Sequence, residues 1–500
     1  MKKLHFYLLS LLFTPIAIAA EAVSEKKLTI DERINEAFAP IVEKIFEVLF
    51  YPVQIGEAQA PIILLWLAAA GIFFTLWFKF INLRIFKLAF NTLRGKYSEE
   101  DATGEISHFQ ALTSALAATV GLGNIAGVAI AIGKGGPGAA FWMVLAGFLG
   151  MTTKFAECTL GVKYRSVQAD GTIVGGPMFY IKEAFNRIKV GWLGSVFAFI
   201  FAVFCIGATF GAGNMFQANQ ASSQIAHLLK LPVGSGWVLG LIFAVLVGLV
   251  IIGGISRIAK VTSKLVPLMC AIYLLMGIVV LIAHASELGS AIGIIFEQAF
   301  NPNAVVGGVL GVLLIGLQRA SFSNEAGIGS APIAHAAVKT NHPASEGVVA
   351  AMGPFIDTII VCSMTALVVV VTGAYQIAGV DGVTMTSKAV SSVSGSFEVI
   401  LGVAVVLFAI STMISWSYYG QQSWRYIFGC NQSAEYTYKI LFCLFIIIGS
   451  AMKIGSVLDF SDAMLFGMSI PNIIAVVILV PVVSLEFKKY LAYTKEKDAK

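Results

Sequence analysis

Residues 115–138 read ALAATVGLGNIAGVAIAIGKGGPG, and residues 316–337 read GLQRASFSNEAGIGSAPIAHAA. Each is an apolar span interrupted by Gly, Asn and small hydroxyl residues. In hydrocarbon an unpaired backbone N–H or C=O costs several kcal/mol, so a chain unwinds there only where other groups bind the backbone it frees. Two such interruptions, one at the start of each of two successive halves, mark the place where a secondary transporter binds its substrate and ion.

The rest of the chain supports a membrane setting. Of 500 residues 58% are hydrophobic and 12% charged, about half the charged share of a soluble domain. This composition predicts an all-α polytopic membrane protein. A β-barrel would instead show short alternating segments. The net charge of +5 falls in loops beside apolar runs, so it reads as a topology signal and implies no nucleic-acid partner. The six cysteines lie in or beside apolar spans without a C-x-x-C pair, as packing residues do.

Spans of about 20 residues fall at 61–80, 108–133, 138–162, 191–222, 236–254, 262–285, 303–338, 346–376, 396–428, 436–454 and 463–484. That makes about 11. Residues 1–20 carry Lys2 and Lys3, an apolar run and a small-residue end, the pattern of a cleaved secretory signal in a bacterial protein. Residues 21–59 form an N-terminal periplasmic or interfacial lead, with an amphipathic stretch at Ile34–Leu49 suited to the membrane surface. Residues 60–107 hold the extra leading span and a basic loop with Lys79, Arg84, Lys87, Arg94 and Lys96. By the positive-inside rule that loop is cytoplasmic. So are Lys163 and Arg165, Lys339, and the tail 485–500, while Lys134, Lys230, Lys388 and Lys453 are external. The expected setting is a bacterial inner membrane, mature N-terminus outside and C-terminus cytoplasmic.

Without the leading span, ten remain: five in 108–285 and five in 303–484, joined by an external connector at 286–302. An odd number per repeat inserts the second upside down relative to the first, giving a 5+5 inverted repeat with both breaks near the midplane.

In the first break, Thr119-Val120-Gly121-Leu122-Gly123-Asn124 is the core. Its freed N–H groups suit a carboxylate and its freed carbonyls suit Na⁺. The alternative is a small-residue helix-packing face. In the second break, Glu325 is expected to pair with Arg319 or backbone amides, since a free carboxylate is costly in lipid. Phe322 is a wall residue. Thr412 and Trp416 are four apart, hence on one helix face, and Ser411 adds a second hydroxyl, unless both hydroxyls bond back to their own helix. Asn214, Gln217, Asn219 and Gln220 serve either the site or helix–helix contacts. Glu157, Asp357 and His335 carry no assigned role, and His335 reads as a loop histidine. An intramembrane enzyme would need a nucleophile with its base or two facing aspartates, and Asp357 has no evident mate. A channel would not need paired breaks.

GLGNIAGVA (121–129), GGPGAAFWM (135–143), GGPMFYI (175–181), FSNEAGIGSAPIAHAA (322–337) and WSYYG (416–420) resemble the alanine or glycine:cation symporter family, over roughly 60–485. The resemblance implies a leucine-transporter-like fold with one extra leading span, and Na⁺-coupled (in some members H⁺-coupled) import of alanine or glycine. It implies no cofactor beyond Na⁺ as coupling ion, and no obligate protein partner. Gly121, Gly123 and Asn124 would cradle the substrate carboxylate, with Thr119 and Val120 beside it. Asn214 or Gln217, with Ser323 and Asn324, would meet its polar ends. Phe322, Thr412 and Trp416 would close the side-chain pocket. The carbonyls of Ala117 and Val120 and the hydroxyls of Ser411 and Thr412 would hold Na⁺. The runner-up is an H⁺-coupled carrier of another small neutral amino acid.

Overall fold

A computed structural model describes residues 29–55, 58–99, 101–168, 171–252, 254–301 and 308–499. The signal segment 1–20 and positions 303–307 of the seventh expected span lie outside them. Among the described residues seven helices are long and apolar enough to cross a membrane: Ala139–Lys163, Gly191–Leu229, Ile255–Ala283, Pro343–Val371, Gly395–Phe428, Gln432–Ala451 and Ile454–Ala499. An eighth is the pair His108–Thr119 and Gly123–Gly135, bent by 51° at its break. The helices Ile62–Trp77 and Gly236–Ile251 are apolar but shorter than a full span. They stand at two of the expected crossings.

Helix starts follow side-chain chemistry. Ser107 and Gln110 cap each other's backbone N–H groups at the head of His108–Thr119, satisfying donors that a helix start leaves free. At the head of Gln432–Ala451, Asn431 Oδ1 accepts from the Ala434 amide at 2.7 Å. Among the described residues three helices carry a wider, π-helical turn: Gly123–Gly127, Gly211–Met215 and Phe355–Cys362. Such turns gather at functional places.

The second broken span runs as Gly308–Asn324, an irregular turn, then Ala331–His335. Glu325, Gly327 and Gly329 take φ of 56°, 86° and 90°. For glycine this costs little; for glutamate it is strained backbone held by its surroundings.

The leading helix Ile62–Trp77 packs on Ala139–Lys163, and the Trp77 indole donates to Ser484 Oγ at 3.1 Å. The amphipathic stretch forms the helix Ile30–Leu49, which packs on Ile454–Gly467. Its Asp31 carboxylate accepts from the amides of Gly236 and Trp237 at 3.2 and 3.4 Å, and Asn35 Oδ1 accepts from Lys453 N–H at 3.1 Å. Phe38 meets Phe445 edge-on. Val42 is buried, while Ile30 and Val48 remain exposed.

The loops expected to be cytoplasmic gather at one end of the bundle. Lys96 pairs with Asp498 at 2.7 Å and Lys163 with Glu486 at 2.9 Å. At this end the two broken spans are zipped together. Ile106 and Val338 form a parallel bridge, Lys339 N–H donates to Ile106 O at 2.7 Å, and Glu105 N–H donates to Ala337 O at 2.8 Å. The Arg165 guanidinium donates to four carbonyls, those of Thr103, Ala336, Val338 and Thr340. The opposite end carries Asp31, Lys453 and the helix Gly382–Ser391, where Gln220 Oε1 accepts from Val383 N–H at 3.1 Å.

Candidate functional site

The first helix ends at Thr119, and the chain turns out at Val120 with ψ of 86°. A continuing helix would give the Gly121 amide to the Ala117 carbonyl; here it goes to Asn124 Oδ1 at 2.8 Å. The Leu122 amide goes to Gln217 Oε1 at 3.0 Å. Further on, the carbonyl of Asn124 accepts from Thr365 Oγ1 at 2.7 Å and that of Ile125 from Thr386 Oγ1 at 3.2 Å. The break therefore satisfies much of its own backbone with side chains from elsewhere, as hydrocarbon requires.

The second break follows the same rule. Asn324 Oδ1 accepts from the Ala326 amide at 2.9 Å, and Asn472 Nδ2 donates to Gly327 O at 2.9 Å. Asn472 also donates to the Glu157 carboxylate and accepts from the Tyr180 hydroxyl.

One carboxylate joins the two breaks. Asp357, fully buried in the π-helical turn Phe355–Cys362, accepts from Asn124 Nδ2 at 2.7 Å, Ser323 Oγ at 3.0 Å and Thr358 Oγ1 at 2.8 Å. Asn324 Nδ2 donates in turn to Thr358 Oγ1 at 2.9 Å. Every hydrogen-bond donor to Asp357 here is neutral. The buried Lys154 ammonium acts on it through space and makes no hydrogen bond. Three neutral donors offset only part of the cost of burying an anion. Sequence reasoning passed Asp357 over. Its one signal was a lone carboxylate in the apolar run PFIDTIIV.

Ser411 and Thr412 differ in their bonding. Ser411 Oγ donates back to Phe408 O at 2.9 Å, the local habit of helix hydroxyls. Thr412 Oγ1 is buried without a hydrogen-bond partner. It faces the first break, because a Cβ built on Gly121 would lie 2.5 Å from it. Thr412 thus stands beside the Ala117 carbonyl's lost amide partner. Trp416, one turn on, covers Gly213, and Phe322 lies 3.5 Å from a Cβ position on Gly123. Thr119, Gly121, Gly123, Asn124, Gln217, Phe322, Ser323, Asn324, Thr412 and Trp416 are thus all buried around the two breaks.

Asn214 Nδ2 donates to Phe442 O at 2.6 Å, toward the helix Gln432–Ala451, and its Oδ1 is buried without a hydrogen-bond partner. Two expected contacts differ. Arg319 pairs with Asp462, joined by Gln318 at 2.8 Å. Glu325 accepts from Ser330 Oγ, and the second Arg319 nitrogen, Nη1, is buried without a partner. The amides of Gly121 and Asn124, expected to cradle a carboxylate, bond to Asn124 Oδ1 and Gly121 O.

Gly213→Ala is expected to destabilise the protein by about 1–3 kcal/mol, because the new methyl would fall among the atoms of Trp416. A thermal unfolding midpoint equal to that of the parent would reject this packing.

The match to known proteins agrees with this geometry. A family model described as the sodium:alanine symporter family matches residues 47–500. The chain belongs to that family. It is therefore a multi-pass membrane protein of a symporter family. A sodium/alanine symporter, AgcS, of Methanococcus maripaludis is 39% identical over 86% of this chain and 94% of its own length. A probable sodium/glutamine symporter, GlnT, of Bacillus subtilis is 33% identical over 88% of this chain and 89% of its own. Among solved structures, MhsT in complex with L-phenylalanine superposes with a TM-score of 0.51 at 16% identity, over 77% of this chain and 99% of that one. The shared fold is of the leucine-transporter type.

Proposed function

We propose that this protein imports alanine or glycine together with Na⁺, by alternating access between two inverted five-span repeats, 108–285 and 303–484. The observation that carries this reading is the buried Asp357 carboxylate, bonded to Asn124 of one break and Ser323 of the other. A cation beside it would offset the burial cost that its neutral donors leave. Binding that cation would also hold the two broken helices in one arrangement. The Thr412 hydroxyl, unpartnered beside Gly121, offers a second oxygen position, together with the Ala117 and Val120 carbonyls and Ser411. The substrate carboxylate would meet the Gly121–Asn124 amides, exchanging with the Asn124 and Gln217 side-chain oxygens that hold Gly121 and Leu122 here. The relatives support the substrate class. AgcS is named for alanine, and GlnT for a larger neutral amino acid at lower identity.

Ion and substrate would bind the same loop, so each raises the affinity for the other. Alanine and glycine are zwitterions, so each Na⁺ carries one net charge inward. At ~100 mV this supplies ~2.3 kcal/mol. A tenfold Na⁺ gradient adds ~1.4 kcal/mol, enough together for roughly 500-fold accumulation.

The test is uptake of labelled alanine by proteoliposomes under an inward Na⁺ gradient, with K⁺ in place of Na⁺, and with a pH gradient alone. Saturable uptake that requires Na⁺ is expected. Uptake on the pH gradient alone would move the coupling to H⁺, and absence of uptake in all three conditions would overturn the substrate.

A further inference from the structure

The zipped end of the bundle contains a cluster that the transport reading does not use. Glu346, fully buried at the head of Pro343–Val371, has both carboxylate oxygens engaged. Oε2 meets His108 Nδ1 and Oε1 meets His335 Nδ1. His108 is the first residue of the first broken span's helix, and His335 the last residue of the second's. A single carboxylate therefore ties together the ends of both broken spans, beside the four-carbonyl grip of Arg165. Directly behind it, between this end and the breaks, lies a cavity of about 10 Å³ lined by Leu112, Ala115, Thr119, Lys154, Asn324 and His335.

We infer that His108, Glu346 and His335 form a latch on this gate: the site opens to this end only when both imidazole–carboxylate contacts break. The inference rests on the transport reading for its purpose, not for its geometry. Each Nδ1 meets an ionised carboxylate, so both contacts are charge-assisted hydrogen bonds, roughly twice as strong as neutral ones. Opening the gate would leave the buried anion without them, so the gate's balance lies in these two contacts.

The surrounding charges leave this balance to the three groups. Arg165, Cys158 and Tyr490 act on Glu346 through space. Arg165 carries a fixed charge, committed to the four carbonyls. Lys154 shares the cavity wall with His335 and faces Glu157, Glu325 and Asp357. Glu105 is bonded to the Ile173 amide at 2.7 Å. On the neighbouring helices, Lys87, Arg257, Lys260 and Lys264 stand in solvent.

The test introduces Ala115→Cys, buried behind the latch, into the full chain and measures its rate of maleimide labelling. Labelling of the protein without that cysteine is subtracted. His108→Gln and His335→Gln are each compared with the parent. Each is expected to raise labelling about tenfold. A ratio near one for both would overturn the latch. Glu346→Gln keeps the shape and removes the charge, and is expected to label at least as fast as either histidine variant. If the histidine variants fail to fold, unchanged labelling of Glu346→Gln by itself overturns the proposal. Alanine uptake by the parent is measured alongside. Absent uptake with latch-dependent labelling would count against transport alone, and normal uptake with latch-independent labelling against the latch alone.

Discussion

Asp357→Asn is expected to lower Na⁺-stimulated alanine uptake about 100-fold, equivalent to ~2.7 kcal/mol. The substitution removes the negative charge and turns one acceptor into a donor facing Asn124, Ser323 and Thr358. A hydrogen bond to a charged group is worth about 1.5–3 kcal/mol, and this site has three in competition. Initial rates measured against Na⁺ concentration would show the loss. A variant with the parental Na⁺ curve would reject Asp357 as part of the ion site and leave it as a pin between helices.

Thr412→Val separates binding from folding. The Thr412 hydroxyl is buried and has no partner in the protein, so its removal should leave stability unchanged or slightly raise it. If it is an ion ligand, the half-saturating Na⁺ concentration should rise about tenfold, ~1.4 kcal/mol. A higher melting temperature with weaker Na⁺ activation is the expected pair of results. Unchanged Na⁺ activation would remove Thr412 from the ion site.

The places where the membrane helices break were legible because breaking is a local event. Glycines and an asparagine inside an apolar run announce it, and the structure leaves the helix at Val120 and at Glu325, inside the predicted stretches. The shared face of Thr412 and Trp416 was legible for the same reason, since helical spacing fixes it. The partners were not. Arg319 finds Asp462, 143 residues away, and Asn124 finds Asp357, 233 residues away. His335 reads as a loop residue because it stands near the inner end of a span, yet it is buried on Glu346, whose segment Pro343–Ala350 packs against Ala139–Lys163. Hydropathy reports how much a residue prefers lipid to water. It says little about which polar group will meet it across a helix pair.

The three π-helical turns set an unusual rule for change in this chain. A π-helical turn holds one residue more than the surrounding helix needs. Deleting a single residue from Gly123–Gly127, Gly211–Met215 or Phe355–Cys362 would barely alter span length, hydropathy or composition. It would nevertheless close the wide turn, keep the flanking helix in register and re-aim the side chains inside the turn. Asn214 and Asp357 sit inside such turns, and Gln217 lies just beyond one. Point substitutions along the lipid-facing surface can drift widely in a protein built this way, whereas its reading frame at mid-membrane is fixed to the residue.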